Sequence, residues 1–176
     1  MKLLHVTLAA LIAAAIPSTV RAEIIEAHLT GYQEVPAVST PAHGEFIARI
    51  SKDGQSISYA LNFGDLVGTV SQSHIHIAQR GVSGAIVIWL CQTAASPSPI
   101  TTTPMCPQSG TVTGTITAAN VVATPTTAVS QLIAAGELDE VIAAIRAGVA
   151  YVNVHATPAN PGGEIRGQIK TLDGRK

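Results

Sequence analysis

The 176-residue sequence is poor in charge, with 12% charged residues and 10 Lys plus Arg against 11 Asp plus Glu. With no basic excess to neutralise a phosphate backbone, nucleic acid is not an expected partner. Aromatic residues make up only 3%, and Gly 15 and Pro 10 are ordinary counts, which excludes collagen-like and low-complexity classes. Two cysteines are present and no Cys-x-x-Cys, so no standard zinc pattern is written in the chain. Serines are plentiful, yet no Gly-x-Ser-x-Gly elbow occurs. Gly81-Val82-Ser83-Gly84 lacks the Lys and the strand–loop–helix setting of a phosphate loop and reads as a turn. What the chain does have is apolar content, 47%. That is too much for a disordered chain, and the length suits one domain.

The apolar content is not evenly spread. Lys2 precedes an apolar stretch from Leu3 to Ile16, interrupted only by His5 and Thr7. Pro17-Ser18-Thr19 breaks it, and Val20-Arg21-Ala22 puts small residues at the −3 and −1 positions. Residues 1–22 therefore read as a secretory signal peptide cleaved after Ala22, with one domain over 23–176. The run falls short of the roughly 20 residues a membrane span needs, and no second run of that length follows. An exported protein, periplasmic or extracellular, with no transmembrane segment after cleavage is expected. Loss of Lys2 and Arg21 leaves 8 basic residues against 11 acidic, a formal charge of −3. Such a surface suits neither anionic membranes nor heparin. Cys91 and Cys106 enclose a 14-residue stretch, and closing that loop with a disulfide would contribute roughly 3 kcal/mol.

Alternation with period two marks half-buried strands. Ile57, Tyr59, Leu61 and Phe63 face one way within Gln55–Phe63, as do Phe46, Ala48 and Ile50, and Val112 with Ile116. In Gly163–Lys170, Ile165 and Ile169 point inward and Glu164, Arg166, Gln168 and Lys170 outward. Ala85–Leu90 is apolar throughout and reads as a central strand buried on both faces. Ile24–Thr30, Ser73–Ala78 and Val149–His155 bring the total to about eight strands, with turns such as Asp53-Gly54 between them. The economical architecture is an antiparallel β-sandwich or barrel. From Val129 to Ile145 the apolar spacing changes to three and four, which predicts one or two short helices closed by Arg146-Ala147-Gly148. Trp89 and Tyr59 read as core residues.

The chemistry concentrates in histidine. Residues two apart on a strand share a face, so His74 and His76 lie together once Ile75 and Ile77 take the core. In Tyr151-Val152-Asn153-Val154-His155, Val152 and Val154 take the core and Tyr151, Asn153 and His155 point outward. If these strands are neighbours, His74, His76 and His155 meet on the outer face and can hold one copper or zinc ion. Asp65, Asn153 or a backbone carbonyl would orient the rings. The alternative is a set of strand histidines hydrogen-bonded to backbone or carboxylates. His28 and His43 have no local feature that singles them out. Glu34 and Glu164 form a conceivable carboxylate pair, but Glu164 is better explained as the outward partner of Arg166 or of a neighbouring basic residue.

Leu29-Thr30-Gly31-Tyr32-Gln33-Glu34-Val35-Pro36, Ser73-His74-Ile75-His76 and the run from Tyr151 through Asn160-Pro161-Gly162-Gly163-Glu164-Ile165-Arg166-Gly167-Gln168-Ile169 resemble the CHRD domain. That domain is named for the repeats of chordin and also occurs alone in exported bacterial proteins; the likeness covers roughly Ile24 to Lys170. It implies an all-β, immunoglobulin-like or Greek-key antiparallel sandwich or barrel. It brings no settled activity, and taking ligand capture over from chordin would be analogy only; no protein or polysaccharide partner can be named. A looser likeness is to copper–zinc superoxide dismutase, whose barrel also carries a His-x-His strand and a later copper-binding histidine, positions that His74, His76 and His155 resemble. No counterpart of its bridging histidine or zinc loop is found. The expectation is a binding module holding one metal ion. The alternatives are a copper-dependent redox enzyme on the same ligands, or a structural or adhesive module without metal.

Overall fold

The computed structural model describes residues 22–125 and 131–172. The expected leader thus lies outside the described residues except for Ala22. Nine strands follow one another along the described chain. They are β1 (Glu23–Thr30), β2 (His43–Ile50), β3 (Ile57–Gly64), β4 (Thr69–Ile77), β5 (Ala85–Cys91), β6 (Gly110–Ile116), β7 (Ala150–Thr157), β8 (Asn160–Gln168) and β9 (Lys170–Thr171). Eight of them pair in the order β5-β4-β7-β8-β1-β2-β3-β6, and β9 pairs with β1. The result is one antiparallel sheet curled into a nearly closed barrel, the all-β architecture expected.

The period-two segments become strands because alternation lets each bury one face. In β3, Ile57, Tyr59, Leu61 and Phe63 enter the core, while Ser58 and Asn62 stay exposed. Across the β2–β3 ladder Phe46 meets Leu61, Ala48 meets Tyr59 and Ile50 meets Ile57. Each such large apolar side chain contributes about 1.5–3 kcal/mol on burial. Asp53 supports the turn between them, its carboxylate accepting from Ser51 Oγ and from the Gln55 N–H. The Cys91–Cys106 disulfide is formed and ties the end of β5 to the approach to β6.

Two expectations need correction. Ala85–Leu90 is not a central strand, because β5 ends the strand order, with β4 as its ladder partner. Its other edge is paired instead by the irregular residues 121–122: Val121 bridges Ile88, and the Val122 N–H donates to the Val87 carbonyl at 2.9 Å. Val87, Ile88 and Leu90 are buried all the same, so the apolar run does not distinguish an edge paired by an irregular segment from one paired by a strand. The second correction concerns the helix. Among the described residues a single α-helix forms, α1 (Leu138–Arg146), which buries Leu138, Val141, Ile142 and Ile145. Asp139 and Glu140 lie in its first turn and Arg146 in its last, as the helix dipole favours. Residues 131–136 are not helical: Leu132 has φ 56° and is 85% exposed, while Ile133 is held by Thr124 through backbone and side chain. Val129 lies outside the described residues.

Candidate metal centre

β4 and β7 are neighbours, and their register sets Gln72 opposite His155, His74 opposite Asn153 and His76 opposite Tyr151. Ile75, Val152 and Val154 join the core. That leaves the three imidazoles on the other face of the sheet, with one ligand atom from each lying within 4.8 Å of the others. The shared sidedness is as expected, but the exposure is not. His74 is 0% exposed, and His76 and His155 are 6% each. The outer face of these strands is roofed. Trp89 sits edge-on to His74 with ring centroids 4.3 Å apart, so it covers the cluster and does not belong to the core, unlike Tyr59. Tyr151 stacks parallel to His76 at 4.7 Å, and the Arg166 guanidinium lies 3.4 Å over the Tyr151 ring.

Backbone carbonyls decide which nitrogen of two rings carries hydrogen. His76 Nδ1 lies 3.0 Å from the Gly84 carbonyl, and His155 Nδ1 lies 2.9 Å from the Pro161 carbonyl. A carbonyl only accepts, so both Nδ1 atoms donate. Burial holds the rings neutral: it pushes His74 down to about 2, helped by His155 and His76, and His76 down to about 4. His155 is lowered too, mainly by burial. A neutral ring that donates from Nδ1 offers a lone pair at Nε2. Both Nε2 lone pairs turn inward, each 3.1 Å from Asn153 Oδ1. His74 Nδ1 lies 3.2 Å from His155 Nε2, while His74 Nε2 is buried without a hydrogen bond.

Gly84 is needed for this orientation, since a Cβ there would stand 1.8 Å from the Ile77 carbonyl oxygen. The turn is closed earlier than expected, by the Val82 N–H on the Gln79 carbonyl, and the segment leaving it supports His76 through the Gly84 carbonyl. Nothing in its sequence marks it so, because the contact is to a carbonyl that any residue carries.

Next to the histidines lies a second buried polar layer. Glu164 and Arg166 do not point to solvent; they are 0% and 2% exposed. Glu164 is not the ion-pair partner of Arg166 either: its Oε1 accepts from Thr40 Oγ1 at 2.6 Å and from the Val67 N–H at 2.9 Å. The reason is again the roof, since the segment after β1 folds back over β8. Glu34, on that segment, is buried, and burial raises its carboxyl to about 7 against the opposing pull of Arg166, the Val35 N–H and Asn153. Glu34 and Asn153 meet beneath Gly163, where a Cβ would stand 2.3 Å from Glu34 Oε1 and 2.9 Å from Asn153 Nδ2. Of the other candidates, His43 sits with Asp65 at 3.6 Å, both exposed, and His28 is exposed on β1. Neither histidine joins the cluster, and Asp65 lies beside His43 and not beside the triad. The Gly84 and Pro161 carbonyls take the orienting role expected for it.

A family model described as CHRD domain matches residues 25–169. No curated protein and no solved structure matches the chain.

Proposed function

The chain belongs to the CHRD domain family, and on that premise we propose that it is an exported binding module holding one copper or zinc ion through His74, His76 and His155. The observation that carries the reading is the inward turn of the lone pairs. Two rings are locked by carbonyls so that their acceptor nitrogens converge, in a pocket where burial keeps them neutral. His74 Nδ1 can donate to one of them, His155 Nε2, at 3.2 Å, but His76 Nε2 and Asn153 Oδ1 face each other with no donor, which is costly and which a cation relieves. Imidazole nitrogen suits copper and zinc. The family, the Cys91–Cys106 disulfide and the leader-like first 22 residues support export.

Metal content settles the matter directly. The mature protein, dialysed after loading with copper or zinc, is expected to retain about one equivalent. The His74→Ala/His76→Ala variant is expected to retain none, and His155→Gln, closer in size, should lose the ion with its far-UV circular dichroism unchanged. Metal absent from the wild type, or equally retained by the variants, overturns the reading. Burial of all three rings favours holding an ion over turning over substrate. Superoxide loss in proportion to bound copper would assign the site to redox catalysis instead.

A further inference from the structure

The three-histidine reading leaves unexplained the one acceptor that is not a histidine. Asn153 Oδ1 stands 3.1 Å from His76 Nε2 and 3.1 Å from His155 Nε2, as close to them as His74 Nδ1 is to His155 Nε2, 3.2 Å. With both Nδ1 atoms donating to carbonyls, neither Nε2 carries a hydrogen for that oxygen. Three acceptors therefore face one another at hydrogen-bond distance; the nitrogen beside them that can donate, His74 Nδ1, reaches His155 Nε2 at 3.2 Å and leaves His76 Nε2 and Asn153 Oδ1 facing each other without a donor. Bonds of about 2.0–2.1 Å to one zinc ion put neighbouring donors roughly 2.9–3.4 Å apart for angles between square and tetrahedral. These three separations fall in that range, and the ligand atoms of the three histidines all lie within 4.8 Å of one another.

The geometry points to Asn153 Oδ1 as a fourth protein donor, making an N3O set that selects a divalent ion over monovalent copper. This rests on the three-histidine reading and goes beyond it. Glu34 is the positioning residue. It lies with Asn153 Nδ2 in the space that Gly163 leaves by having no side chain, so the amide N–H2 end faces a carboxyl and the oxygen end faces the rings. An amide oxygen is a hard donor; it strengthens binding of zinc and adds little for Cu(I), which three imidazoles already satisfy.

The test uses the whole mature protein and two probes, Zn(II) and ascorbate-maintained Cu(I), each titrated against a chelating dye. For Asn153→Leu, zinc affinity is expected to fall about tenfold or more, while Cu(I) affinity stays within a factor of two or three of wild type. Asn153→Asp restores an oxygen donor and is expected to return zinc affinity to wild-type level or above. Glu34→Gln should show a smaller zinc-selective loss. Retained Cu(I) binding in each variant shows that the histidines are still assembled. Zinc binding unchanged in Asn153→Leu, or zinc binding not returned by Asn153→Asp while that variant still holds Cu(I), overturns the fourth donor; the histidine site then stands on the wild type's own binding. Failure of wild type to bind either metal overturns the histidine site itself.

Discussion

At the scale of single residues, the functional arrangement depends on positions where a side chain is missing as much as on those where one is present. Gly163 has φ 130° and no room for a Cβ, with Glu34 Oε1 and Asn153 Nδ2 in the space. Gly163→Ala adds backbone strain and a clash with two buried polar groups, which together should cost about 2 kcal/mol or more. Urea denaturation measures it, and a change below about 0.5 kcal/mol, the size of an ordinary surface substitution, would contradict this account. The His-x-His spacing and the sidedness of Tyr151, Asn153 and His155 were readable because strand alternation is local. The burial was not, because the roof comes from Trp89, Arg166 and the Glu34 segment, far apart in the chain and joined only by folding. Glu164 shows the same limit. Alternation assigns it to the outer face correctly, but only the fold shows that Thr40 and Val67 cover that face.

At the scale of elements, what was legible was whatever buries one face against water. β2 and β3 alternate cleanly for that reason. β5 misled because an apolar strand paired by an irregular segment and an apolar strand inside a sheet have the same composition. The helical period was carried too far toward the N-terminus because the apolar Leu132 and Ile133 fall on it by position, while Leu132 adopts a left-handed backbone and faces solvent. The disulfide is the element-scale device that holds β5 against its loop. Cys91→Ser/Cys106→Ser is expected to lose about 3 kcal/mol of stability. Its metal stoichiometry should be unchanged, since neither cysteine touches the histidines. Denaturation curves of the two proteins, beside metal analysis, check both halves; lost metal with stability unchanged would reverse the assignment.

At the scale of the molecule, burying three neutral imidazoles ties folding to pH. In metal-stripped protein His74 sits at about 2 and His76 at about 4, with His155 also lowered, against 6.5 for a free ring. Below pH 6.5 the unfolded chain therefore takes up more protons, and stability drains away as pH falls. Glu34 works the other way: raised from 4.5 to about 7, its contribution is whole below pH 4.5 and is lost as pH rises through 7. Three groups outweigh one, so the melting temperature in EDTA should be several degrees lower at pH 5 than at pH 7. A flat or rising profile would mean the rings are not held neutral. The strand order carries a different consequence, one about synthesis. β4, with two of the three proposed ligands, is made before the chain is half finished, whereas β7 and β8 come near its end and insert between β4 and β1. A chain emerging N-terminus first offers an ion only a two-toothed grip until His155 and the Pro161 carbonyl have appeared. Under the proposed three-histidine binding, firm retention of the ion is a mark that translation reached the last strands and the barrel closed, and a truncated chain is expected to stay empty.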